Sequence, residues 1–131
     1  MIEQHDALPL LAEACPSFNE CWQEHLQEYG NDLLYVAAGA LSRHLLHLFR
    51  NDDLSSFPAV AVVLESFHVE GSAWVKEFAT VGVLEAIQNV WLNSLIDPSL
   101  FAVFLLPESR RSWDLLNLFW SGDAPPVIPD A

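Results

Sequence analysis

The sequence predicts an all-α fold, a compact bundle of six or seven antiparallel helices, with HEAT-like stacking of helix pairs as the variant arrangement. Three observations carry this prediction. Apolar residues recur at three- and four-residue steps along most of the chain, which places them on one face of a helix. Alternating apolar and polar runs are almost absent, and no Asn-Gly dipeptide marks a hairpin. Ser, Asp, Pro and Gly stand between the periodic segments, where helices start and stop. No internal repeat supports a solenoid over a bundle.

The elements follow in order. A first helix is expected from Ile2 to Ala14, with Pro9 as a candidate kink, broken by Cys15-Pro16. Ser17-Phe18-Asn19-Glu20 reads as a capping box: Ser17 caps a second helix and Glu20 bonds back. That helix carries Phe18, Cys21, Trp22, Leu26 and Tyr29 and stops at Gly30. Asn31-Asp32 opens a third helix that runs to about Arg50, with Leu34, Ala38, Leu41, Leu45, Leu48 and Phe49 as its apolar positions. After the Asn51-Asp52-Asp53 loop, Ser56 caps a fourth helix with Pro58 in its first turn. The β-branched run Val60 to Leu64 makes a strand the competing assignment there.

Gly71 ends that element and Ser72 caps the longest helix, Ala73 to about Leu95, whose stripe is Trp74, Phe78, Val81, Leu84, Ile87, Trp91 and Leu95. Gly82 within it is expected to admit a neighbouring backbone. Asp97-Pro98 starts a short helix to about Leu105, and Pro107 or Ser109 starts the last, with Trp113, Leu116, Phe119 and Trp120 on its buried side. Trp120 is the tryptophan expected to be partly exposed. Residues 1–120 are read as a single helical domain, and 121–131, with three prolines, as a Pro-rich tail.

Composition bounds the function. The chain has 131 residues, 52% of them hydrophobic, with five Trp and eight Phe, enough to build one core and to exclude disorder. Eighteen Asp and Glu stand against five Lys and Arg, for a formal net charge of -13. Such a field repels nucleic acid and anionic membrane and speeds the approach of basic partners. The apolar stretches Leu33–Leu41 and Leu100–Leu106 fall short of the ~20 residues that span a bilayer. No signal-peptide pattern is expected. Cys15 and Cys21 read as reduced thiols, so the expected compartment is the cytoplasm.

Glu20, Glu24 and Glu28 recur every four residues, and Asp32 follows at the next turn. These four predict an acidic stripe, and residues 1–42 hold no Lys or Arg to neutralise it. Most such runs are merely solvated. Spaced like charges repel, however, and no nearby cation relieves them, so a surface that docks something basic stands as an equal reading beside the solvated face. Asp52 and Asp53 extend the candidate partner-binding set.

Other chemistry finds less support. Glu65-Ser66-Phe67-His68 has the Glu-x-x-His spacing of di-iron bundles, but a second copy is missing, and Gln88 stands where the second histidine would be. His44 and His47 lie one turn apart, with His25, Cys21 and Cys15 at no diagnostic spacing for zinc. There is no Gly-x-Ser-x-Gly elbow and no Gly-x-Gly loop. No catalytic residue, metal or cofactor is therefore assigned.

The segment Val69 to Asn89, in which Gly82, Leu84, Glu85 and Asn89 match a Gly-x-Leu-Glu-x-x-x-Asn pattern, resembles a family of small, acidic, uncharacterised bacterial helical proteins. The stretch Pro107 to Trp113 is similar as well, and the likeness covers roughly residues 17–120. Proteins of this kind are similar to toxin-immunity proteins. The resemblance implies a non-enzymatic protein that binds a cognate bacterial toxin or effector with a basic surface and covers its active site. An acidic secretion chaperone or adaptor for an effector protein is the alternative.

Overall fold

The computed structural model describes residues 1–122. Among these every regular element is helical. A 3-10 turn, Gln4–Asp6, leads into α1 (Ala7–Ala14). The first helix thus begins later than Ile2, because Ile2 is drawn into an isolated parallel bridge with Gly71. The Ile2 N–H donates to the Glu70 carbonyl at 2.9 Å, and the Ile2 carbonyl accepts from the Ser72 N–H at 2.8 Å. Pro9 occupies the third position of α1, where no intrahelical N–H bond is lost.

Helix α2 (Asn19–Tyr29) follows a 3-10 turn, Pro16–Phe18. The capping box at Ser17 does not form. Phe18 is fully buried and takes the position before α2 with helical backbone angles, φ -79° and ψ -17°. Ser17 is left one residue outside the helix, and its hydroxyl pairs with His44 Nε2 at 2.7 Å. At the other end Gly30 stops α2 at φ +62°, a left-handed turn suited to glycine.

Helix α3 (Leu34–Arg50) starts after Leu33 rather than at Asn31-Asp32, and no side chain caps it. Its buried positions Leu34, Ala37, Ala38, Leu41, Leu45, Leu46 and Leu48 keep the helical step. Helix α4 (Phe57–Glu70) absorbs the β-branched run. Phe57, Val60, Ala61, Leu64 and Phe67 are buried at three- and four-residue steps, and that burial overrides strand propensity.

The long rod is continuous but not uniform. It comprises α5 (Ala73–Glu77), a π-helical segment (Phe78–Leu84) and α6 (Glu85–Asn93). The Ser72 hydroxyl accepts from the Val75 N–H at 3.3 Å, which confirms that cap. Gly82 does not admit a second backbone. An added Cβ there would stand 2.9 Å from Cδ1 of Phe78, so the missing side chain makes room for the Phe78 ring. The rod ends in a Schellman turn in which the Ile96 N–H reaches the Trp91 carbonyl at 3.0 Å. Leu95 takes the left-handed position at φ +62° and is 93% exposed, so it leaves the expected apolar stripe.

Helix α7 (Ser99–Ala102) is shorter than expected; the Asp97 carboxylate caps it by accepting the Ser99 N–H at 2.9 Å. Helix α8 (Pro107–Ser121) buries Trp113 and Leu116, leaves Phe119 half-buried and exposes Trp120 by 56%. Of the expected tail, Ser121 is the last residue of α8 and Gly122 its cap; 123–131 lies outside the described residues. Counting the long rod once, seven helices among the described residues pack as an all-α bundle. α3 lies along α6 and the π-helical segment, while α4 packs against α1 and α8. Trp91, fully buried, anchors the centre: its indole N–H donates to the Ser42 carbonyl at 3.3 Å, and its rings lie 5.2 Å from Phe49 and 5.9 Å from Phe101. No helix among the described residues is long and apolar enough to cross a membrane.

Candidate functional site

The acidic row is built by the inner face of α2. Trp22 and His25 are buried and Leu26 half-buried, which turns Glu20, Glu24 and Glu28 outward; all three are exposed. His25 is sandwiched between Trp22 at 5.5 Å and Tyr29 at 5.0 Å. Its Nε2 lies 2.8 Å from the Asp32 carbonyl oxygen and holds the loop against the end of α2. Asp32 is thereby kept near the end of the glutamate row with its carboxylate exposed. Among the described residues the ion pairs are His5–Asp6, Arg110–Asp114 and Arg111–Glu108, so none of the four carboxylates meets a cation.

Asp52 and Asp53 belong to a different place. They follow the far end of α3, about 25 Å from its start by helix rise. Asp52 sits at φ +56° in the Schellman turn that closes α3, where the Asp53 N–H donates to the Leu48 carbonyl at 2.9 Å. The Asp53 carboxylate accepts from the Ser55 hydroxyl at 2.7 Å and the Ser55 N–H at 3.2 Å, and these bonds hold its pKa below the ordinary value. Both aspartates have turn-forming work of their own.

An apolar corner adjoins Asp32, and the charge pattern did not reveal it. Leu33 is 56% exposed at φ +54°, a backbone conformation that costs a non-glycine residue about 1 kcal/mol or more. Tyr29, Tyr35 and Val36 are exposed beside it. Tyr35 packs edge-on against Phe78 at 5.5 Å and Trp74 at 6.1 Å, so its ring is fixed while its outer edge meets solvent. Burial, and then the charge of Glu77, raise the Tyr35 pKa. Asp32, Leu33, Tyr35 and Trp74 line a shallow cleft of about 330 Å³. The sequence held one signal for this corner. Leu33-Leu34-Tyr35-Val36 is four apolar residues in a row, and a helix face cannot bury all four.

The remaining candidate chemistry is accounted for by structure. The Glu65 carboxylate accepts the N–H groups of Glu108 at 3.1 Å and Ser109 at 2.9 Å, and so caps α8 from α4. His68 Nδ1 lies 2.9 Å from the Ser109 hydroxyl, and Nε2 lies 2.9 Å from the Thr80 hydroxyl. Burial lowers the His68 pKa. Burial, and then the nearby His47, also lower the pKa of His44. Cys15 is buried, Cys21 is exposed, and both are free thiols. Among the described residues no three His, Cys, Asp or Glu side chains gather where a metal ion would fit. By contrast, the carboxylates of Glu20, Glu24, Glu28 and Asp32 make no ion pair among the described residues.

No curated protein and no solved structure matches the chain. Residues 8–121, nearly the whole helical bundle, match the family described as "Domain of unknown function (DUF7674)", and the chain belongs to that family.

Proposed function

We propose that this chain is an immunity-type protein, one that binds a cognate bacterial toxin or effector and neutralises it by covering its active site, with no catalysis of its own. The observation that carries this reading is the acidic row Glu20–Glu24–Glu28–Asp32, unpaired and exposed, running into the apolar corner at Leu33, Tyr35 and Val36. Interfaces draw their energy from a few packed apolar or aromatic anchors, while surrounding charges set encounter rate and specificity. The corner supplies the anchor and the row supplies the field. Toxins that attack nucleic acid carry basic active sites, and a line of carboxylates imitates a phosphate backbone. Asp52 and Asp53 would act at a second contact, because α3 separates them from Asp32.

The test begins with capture of the partner from the native host, or by co-expression with the neighbouring gene product. Lysine is then placed at Glu20, Glu24, Glu28 and Asp32. Association should slow by about tenfold or more at low salt, and the remaining affinity should fall less steeply with added salt than in the parent. Unchanged affinity across all four substitutions removes the charge argument.

A second reading is a secretion chaperone or adaptor. It is favoured by exposed Leu92, Leu95, Leu100, Val103 and Leu106, all within residues 92–106. A chaperone would hold an apolar segment there, and its binding would respond to Leu95→Ser and Val103→Ser rather than to the acidic row.

A further inference from the structure

Cations are scarce in this chain, and two of the five share one face of α3. Arg43, His47 and Arg50 recur at steps of four and three. Arg110 and Arg111 are matched to Asp114 and Glu108 on their own helix, at 3.4 and 3.7 Å. Among the described residues neither Arg43 nor Arg50 has a carboxylate within ion-pair reach, in a chain that carries 18 of them. The three side chains line a cleft of about 260 Å³ between α3 and the end of α6, completed by Leu46, Val90 and Ser94. Arg50 Nη2 donates to the Ser94 carbonyl at 3.2 Å, which fixes that guanidinium against the last turn of α6. Its other N–H groups, all those of Arg43, and the Ser94 hydroxyl find no acceptor among the described residues.

We propose that this cleft binds a phosphate-type oxyanion carried on a small ligand. A guanidinium presents parallel N–H groups that match two oxygens of a phosphate, and two guanidinia on one helix face can grip different edges of the same group. The Ser94 hydroxyl adds a donor at the rim, where His47, with Asn51 Nδ2 at 3.4 Å from its ring nitrogens, also stands. The size agrees: 260 Å³ holds a phosphate with a few further atoms, and is below the ~300–1,000 Å³ of sites for larger ligands. Asp52 and Asp53 follow Arg50 in the turn that closes α3, but neither pairs with it, and the Asp53 carboxylate is held by Ser55. Salt screens carboxylates beyond about 8 to 10 Å, while the cleft donors act at contact. The site is independent of the acidic row on α2 and stands or falls without it.

The experiment is an NMR titration of the full chain with inorganic phosphate at constant ionic strength. Saturable amide shifts are expected in residues 43–51 and 90–95, with millimolar affinity. Arg43→Gln breaks no hydrogen bond within the fold and should weaken binding about tenfold; adding Arg50→Gln should weaken it about tenfold again. Lys76→Gln removes the same charge from α5 and should leave the affinity unchanged. The proposal is overturned if the shifts do not saturate, if they survive in the double variant, or if Lys76→Gln weakens binding as much as Arg43→Gln.

Discussion

At the scale of single residues, His68 shows how a spacing acquires its meaning only in three dimensions. Its distance from Glu65 is plain in the sequence, but its partners are the Leu64 carbonyl one turn back, Ser109, 41 positions on, and Thr80 in the π-helical segment. Glu65 in turn is committed to the N–H groups of α8. Burial holds the His68 pKa below the ordinary 6.5, so the native state takes up this proton less readily than the unfolded chain. Stability from this group is therefore complete above about 6.5 and is lost as pH falls below that value toward the folded pKa. His44 is shifted in the same direction and adds to the slope. Glu85, raised by burial, works the opposite way at lower pH, and Asp53 and Asp97, held below 3.8, lose their contribution only in stronger acid. Urea unfolding at pH 7.5 and 5.5 isolates the histidines. The parent should lose stability on acidification, and His68→Gln should lose less. An equal loss in both proteins would assign the slope elsewhere.

At the scale of elements, Gly82 and Gly39 make opposite predictions from the same substitution. Alanine at Gly39 would meet the Arg43 guanidinium at 3.5 Å, ordinary contact, and should stabilise α3 by up to about 1 kcal/mol through helix propensity. Alanine at Gly82 would press on the Phe78 ring at 2.9 Å. That ring is stacked on Trp74 at 4.9 Å and fully buried, so it has little room to yield. Overpacking of about 1 to 3 kcal/mol should exceed the propensity gain and leave Gly82→Ala the less stable protein. Denaturant midpoints that rise for both variants would show that Phe78 has more freedom than its packing suggests. Much of the element plan was legible in advance, since buried residues at three- and four-residue steps define α3, α4 and α8 directly. The π-helical segment was not. Its wider turn lets six of seven residues from Phe78 to Leu84 be buried, a pattern that reads in sequence as an ordinary apolar stretch. The start of α2 differs from the local signal for a related reason: Ser17 is a good local cap, but the core's demand for Phe18 decides where the helix begins. The left-handed backbone at Leu33 has no sequence signature.

At the scale of the whole molecule, the net charge of -13 leaves like charges along α2 without relief. Glu24 lies one turn from both Glu20 and Glu28, all three are exposed, and none has a cation to relieve it. Each like-charged pair at this spacing costs about 0.2 to 0.5 kcal/mol, so Glu24→Gln removes two such costs at once. The variant should be more stable than the parent by several tenths of a kcal/mol at low salt. The difference should shrink as salt screens the row. If the row exists to meet a basic partner, the same substitution should weaken that partner's binding, so that one change raises stability and lowers function. A merely solvated face would show the gain without the loss. Urea unfolding of both proteins at low and high salt, paired with binding of the captured partner, measures the two effects together. A Glu24→Gln protein no more stable than its parent would mean that the row carries no strain, and the reason for assigning it a partner would go with it.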